Sequence, residues 1–226
     1  MAKSQSGDIF AAEEAAEKKA RGFFEKNSKL IVGATIGILV VIAGGYGYKH
    51  LILAPKEDKA QTQIIRAQHY FEIDSFNLAL NGDNVALGFK DIADQYSGTN
   101  VGNGARLYAG ISALHLGDFE GAIKYLESFS CDDPLLNARK YGCLGDAKAE
   151  LNDMAAAATY YQKAVESAPD NKITAPTYLY RLAKAQEAAG KTAEAEATFD
   201  RLSNSFPESF EGVQAEKELA RLQASK

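Results

Sequence analysis

The sequence predicts an all-α protein: a solenoid of about four helix pairs, closed by a C-terminal capping helix and preceded by a single transmembrane helix. Three observations predict it. Leu30–Tyr48 is a run of 19 residues without a charge. Four short turns, Asn81-Gly82-Asp83, Gly117-Asp118-Phe119, Asn152-Asp153-Met154 and Gly190-Lys191-Thr192, recur at spacings of 36, 35 and 38 residues. Beyond Pro55, apolar residues fall at helical spacing with almost no strand-like alternation.

The first 29 residues carry six basic and five acidic side chains and an Ala/Glu/Lys run from Ala11 to Lys19. They read as a short amphipathic or frayed helix, too small to be a domain. The span follows at 30–48. At ~1.5 Å per residue it reaches roughly 28 Å, about one hydrocarbon core. Nine of its residues are Leu, Ile or Val, worth about −4 kcal/mol together on the insertion scale. Five Gly (33, 37, 44, 45, 47) weaken that sum. Tyr46 and Tyr48 stand where an interfacial aromatic belt belongs, and Lys49 and His50 can reach the headgroups. The run is too long and begins too late for a cleaved signal peptide, so an uncleaved anchor is expected. Five basic residues (Lys18, Lys19, Arg21, Lys26, Lys29) precede it closely and three (Lys49, Lys56, Lys59) follow, which puts the N-terminus in the cytoplasm and the C-terminal part outside it. Gly33 and Gly37 form a GxxxG. It reads either as a seam for a homodimer or another membrane protein, or as ordinary glycine in a membrane span.

A linker, 49–59, leads to the repeat domain, 60–226. A Pro falls 17 residues beyond each of the last three turns, at Pro134, Pro169 and Pro207. Each turn separates two helix-length segments. The pattern resembles the tetratricopeptide repeat, a pair of antiparallel helices. The third unit matches best, through Tyr141, Leu144, Gly145, Ala157, Tyr161, Ala164 and Pro169, with Lys148 in place of the expected aromatic. The second keeps Gly110, Ala122, Leu126 and Pro134, with Arg106 where a large apolar residue is usual. The fourth keeps Leu182, Ala183, Ala195, Phe199 and Pro207. The first is degenerate: Tyr70, Ile73, Ala86 and Ala93 remain, and Gly98 replaces Pro. Gly145 and Ala157 mark a close approach of two helices, where a larger side chain would overpack the contact. Tyr161 fills the gap left by small neighbours. One hairpin cannot bury its apolar face alone, so stacking and a cap are needed. Glu208–Gln223 supplies the cap, with Val213, Leu219 and Leu222 expected inward.

The whole chain is similar to the YfgM-like family of inner-membrane proteins, in its order of segments, in Phe23-Phe24-Glu25-Lys26-Asn27 before the span and in Tyr46–Lys49 after it. The resemblance implies a bacterial inner-membrane anchor and a periplasmic tetratricopeptide domain. It further implies partners among Sec translocon subunits, periplasmic chaperones and exported polypeptides. A structural, self-assembling envelope protein is the alternative.

Composition sets limits on other functions. The chain has 226 residues, 46% of them apolar, enough for a packed core in one or two domains. A net charge of −5 argues against nucleic acid. Two Cys rule out a disulfide-built scaffold and a four-cysteine zinc site. Cys131 and Cys143 read either as a disulfide, if their Cα atoms approach within ~7 Å, or as small buried apolar residues. His50, His69 and His115 are far apart and lack metal-ligand spacing, so no metal is expected. Gly190-Lys191-Thr192 lacks the upstream Gly of a P-loop, since Ala185 stands there, and reads as a repeat turn. Gly102-x-Gly104 lacks a third Gly and a preceding strand. No cofactor and no enzymatic activity are expected.

Recognition is the remaining job, and in such solenoids it falls to the groove lined by first helices. By repeat position the candidates are Leu107, Ile111, Leu114 and His115 in the second unit, Arg139, Asp146 and Glu150 in the third, and Thr177, Tyr180, Lys184 and Glu187 in the fourth. The second set is apolar and the later sets are charged, as an amphipathic peptide groove would be. Leu107, Ile111 and Leu114 have a competing reading as packing residues against the first unit.

Overall fold

The computed structural model describes residues 4–224, with side chains described for 17–19 and from residue 21 on. The chain forms two compact units, 1–55 and 56–226.

The first unit is helical. Helix α1 (Ser4–Tyr48) carries the uncharged run and is followed by a π-helical turn, Lys49–Leu53. One helical stretch here is long and apolar enough to cross a membrane, and none of its most apolar window is buried in protein. Val41 and Leu30 are 74% and 73% exposed. Apolar surface of that extent is favourable only against lipid or another apolar surface. At the end of the run the rings of Tyr46 and His50 lie 4.2 Å apart.

The second unit is the solenoid. Its elements are α2 (Ala54–Glu72, of which all but the first two residues fall in this unit), α3 (Phe76–Asn81), α4 (Phe89–Gln95), α5 (Asn100–His115), α6 (Phe119–Ser128), α7 (Pro134–Glu150), α8 (Met154–Ser167), α9 (Thr174–Ala188), α10 (Thr192–Ser205) and α11 (Phe210–Ala224). Three regular pairs, α5/α6, α7/α8 and α9/α10, form the second to fourth repeats, and α11 packs on α10 as the cap. The only pairing of β type among the described residues is an isolated bridge, Gly82 with Leu87.

The sequence dictates where these helices begin and turn. Thr99, Asp118, Asp133 and Asp153 each accept a backbone N–H of the first turn of the helix that follows, and Asp133 is assisted by Pro134. At the turn between paired helices one residue must be left-handed. Gly117 and Gly190 take that role at φ 78°, and Asn152 takes it in the third repeat at φ 60°. The longer link before the fourth repeat is closed by Asn171, whose side chain accepts from Ile173 N and Thr174 N and starts α9.

The pairs are held by small-against-large contacts. A Cβ on Gly145 would meet the Tyr161 ring at 2.5 Å, and one on Gly110 would meet Leu126 at 2.5 Å. Gly142 does the same between repeats, with the Tyr178 ring of α9 lying on it. The core has two clusters, one from Ile64 to Leu144 and one from Ala138 to Leu222, and Tyr141 packs against both. In α11, Leu222 and Ala215 are buried and Leu219 packs against the second cluster. Val213 is 45% exposed, which corrects its expected inward place. The register of α11 gives the inward position to Ala215 instead.

The first repeat departs from the pair expected of it. Its first helix is broken into α2 and α3 at Asp74, which is left-handed at φ 57°. Its second helix, α4, is only seven residues long. Aromatic packing replaces the small-against-large pattern: Phe71 lies edge-on to Phe76, Phe89 and Tyr108, and Phe89 stacks on Tyr108 at 5.1 Å.

Candidate functional site

The groove side of the second unit is built by α5, α7 and α9, with α11 next in line. The residues picked out by repeat position fall into three groups.

Leu107 and Ile111 are buried, 6% and 4% exposed, within the first core cluster. They are packing residues that hold α5, and the surface belongs to their neighbours on the next turn. Leu114 is half-buried and His115 is exposed, with its imidazole stacked on Phe76 at 4.1 Å.

Thr177, Tyr180, Lys184 and Glu187 are engaged by the capping helix. Thr177 donates to Glu211 at 2.8 Å, and Tyr180 donates to Glu218 at 3.3 Å. Lys184 lies 3.6 Å from Glu218, and Arg221 lies 2.6 Å from Glu187. The Arg221 hydrogen bond holds the Glu187 carboxyl below the usual carboxylate range. These four residues therefore spend their polar groups on α11.

Asp146 is the hub of the third group. Arg181 Nη1 donates to both of its oxygens, at 2.5 and 2.7 Å, and the Tyr161 hydroxyl donates to Oδ1 at 2.8 Å. Burial, together with the Asp146 charge, pushes the Tyr161 phenol far above its ordinary value, so it stays a donor. Around this hub lies a recess of about 520 Å³, lined by Leu114, His115, Phe119, Asp146, Ala149, Glu150, Tyr161 and Arg181. It runs from the apolar end of α5 to the charged face of α7 and α9. A second, more apolar hollow of about 350 Å³ adjoins it through Ala149, Tyr161 and Arg181, towards Met154 and Tyr180.

Of the residues picked out by repeat position, Leu114, His115, Asp146 and Glu150 line this one recess. Arg139 is exposed at the other end of α7. Arg181 and Tyr161 complete the recess, and neither is among the groove residues that repeat position picks out. The signal for Arg181 was present: it is four residues after Thr177 and three before Lys184, on the same helical stripe. Repeat position gives Tyr161 only the role of filling the gap left by small neighbours; its hydroxyl reaches past the ring contact to Asp146.

The buried Cys143 thiol is pushed up by burial, the opposite of what a nucleophile needs, and both cysteines are free thiols. The charged groups at the centre neutralise one another in pairs.

The tetratricopeptide-repeat family matches residues 141–171 and 177–209, the third and fourth repeats. The chain is also similar in structure to MamA, known from its crystal structure, with a TM-score of 0.54 and 18% identity over 70% of this chain and 88% of that one. No curated protein matches the sequence.

Proposed function

We propose that this chain is a membrane-anchored scaffold whose solenoid, residues 60–226, binds protein partners in the groove. The observation that carries the proposal is the recess of about 520 Å³ shared by three successive repeats, apolar at Leu114 and Phe119 and charged at Glu150 and Arg181. A solenoid that merely filled space would not need a continuous amphipathic hollow on its inner side. Residues 30–48 anchor it, residues 1–29 lie in the cytoplasm and 49–59 link the anchor to a periplasmic domain. The flanking charge bias and the similarity to the YfgM-like family support that topology. They also support a place at the Sec translocon of a bacterial inner membrane, with periplasmic chaperones and exported chains as partners. A second reading, self-assembly in the envelope, draws on Gly33 and Gly37, whose open surfaces have nothing within 4 Å.

Photoreactive side chains at Leu114 and Ala149 in cells test both. Adducts with translocon subunits, chaperones or exported chains are expected. Adducts with other copies of this chain alone would replace the scaffold reading with self-assembly.

A further inference from the structure

The groove face of α7 has an open positive end and an open negative end. Arg139, Cys143, Asp146 and Glu150 are spaced 4, 3 and 4 residues apart. At 3.6 residues per turn, all four fall on one stripe, with the end members within ~20° of each other. The middle of the stripe is closed: Asp146 is held by Arg181 and Tyr161, and Cys143 is buried. The ends are not. Among the described residues neither Arg139 nor Glu150 forms an ion pair, although nearly every other charge on this face does, through Arg181–Asp146, Lys184–Glu187 and Arg221–Glu187. Both are exposed, and Arg139 lies against the Cys143 thiol. Only the Glu150 end opens on the apolar wall of Leu114 and Phe119.

We infer that the groove reads an extended segment of a partner protein by charge register, with a Lys or Arg at Glu150, an apolar side chain beside it in the recess, and an Asp, Glu or C-terminal carboxylate at Arg139. This rests on the groove being the binding surface, and adds which segment it takes. The spacing follows from the helix. Eleven residues of α7 separate the two charges, roughly 16 Å along its axis at ~1.5 Å per residue. An extended chain covers that in about five residues at ~3.3 Å each. A charge pair at the wrong spacing meets only one end, and a pair with the charges exchanged meets like charge at both.

The test uses the full chain in detergent micelles and labelled peptides with blocked ends. The matched probe is Lys-Leu-Ser-Thr-Ser-Asp, the short-spaced probe Lys-Leu-Asp-Ser-Thr-Ser, and the exchanged probe Asp-Leu-Ser-Thr-Ser-Lys. Fluorescence polarisation is expected to rank the matched probe first. Arg139→Glu or Glu150→Lys alone should weaken it by about two- to five-fold, the range for partly exposed ion pairs. The double exchange should make the exchanged probe the better ligand. Both residues are exposed, and unchanged circular dichroism will show that the variants fold. Three probes binding alike, or an order unmoved by the double exchange, overturns the charge register and leaves the groove reading standing. No probe binding while Leu114 adducts form in cells has the same meaning. No probe binding and no adducts in cells would overturn both.

Discussion

The first and third repeats solve the same packing problem with different materials. The third brings α7 and α8 together over Gly145, whose missing side chain is replaced by the Tyr161 ring. The first has no such glycine at its pair contact. Its broken first helix and its seven-residue α4 are joined by Phe71, Phe76, Phe89 and Tyr108, packed largely edge to face. A glycine contact works only at one separation of two long helices, so it leaves a motif. An aromatic cluster tolerates short helices at irregular angles, because large rings bury much area at many orientations. The cost is a loop, Gly82–Gly88, that must be held down separately. Asp83 does this by accepting from Tyr70 at 2.5 Å and from the N–H groups of Val85 and Ala86.

Phe89→Ala should give the largest effect. Phe89 is fully buried and touches two other rings. Its loss should cost about 3–5 kcal/mol in urea unfolding. If hydrogen exchange then shows the third repeat loosening as much as the first, the repeats are not the nearest-neighbour units that a solenoid implies.

Gly145→Ala is expected to cost about 1–3 kcal/mol, because the Tyr161 ring has to move. The same change should weaken the Tyr161–Asp146 hydrogen bond, seen as altered tyrosine fluorescence. A neutral result would mean that the α7–α8 contact is as tolerant as the aromatic one.

Asp133→Ala removes the acceptor for Leu135 N and Leu136 N at the start of α7 and should cost ~1 kcal/mol in thermal unfolding. No cap of this kind sits at α3 or α4, so the matching change Ser75→Ala should be close to silent.

The finest contrast is in acid. The Tyr70 hydrogen bond, then those of Val85 and Ala86, hold the Asp83 carboxyl down at about 2, against 3.8 when free, with burial opposing and Arg66 assisting. A carboxyl lowered in the folded state stabilises it fully above pH 3.8 and loses that contribution as the pH falls towards 2. Exchange protection of Ala86 should therefore fade over that window while the third repeat holds. In Asp83→Asn the pH dependence should vanish. Fading in the variant too would assign it to other carboxylates.

Much of this was legible in the chain because the repeat writes itself in small residues and prolines. Gly110, Gly145, Pro134 and Pro169 mark the α5–α8 pairs, and the close approach at Gly145 and Ala157, with Tyr161 filling the gap, follows from the same spacing; that Gly110 packs on Leu126 is seen only in the fold. The groove was half legible. Position within a repeat picks Leu114, His115, Asp146 and Glu150, which line one recess, and also Leu107 and Ile111, which are buried, because a groove position and a core position differ by only a fraction of a turn. It could not see that α11 would occupy the fourth repeat's polar groups, since Glu211, Glu218 and Arg221 lie more than 30 residues from Thr177, Tyr180 and Glu187.

The amino-acid order alone determined the uncharged run able to span a membrane, the helical class, the turn positions and the capped helix starts. Each is a local matter, set by hydrophobicity over one stretch or by one residue's backbone preference and its neighbours three or four places away. The tertiary structure decided how the first repeat packs, which groove residues stay open and where Arg181 spends its charge. Those outcomes depend on which helices become neighbours, and a charge can be satisfied only by a partner that the fold brings within a few ångströms.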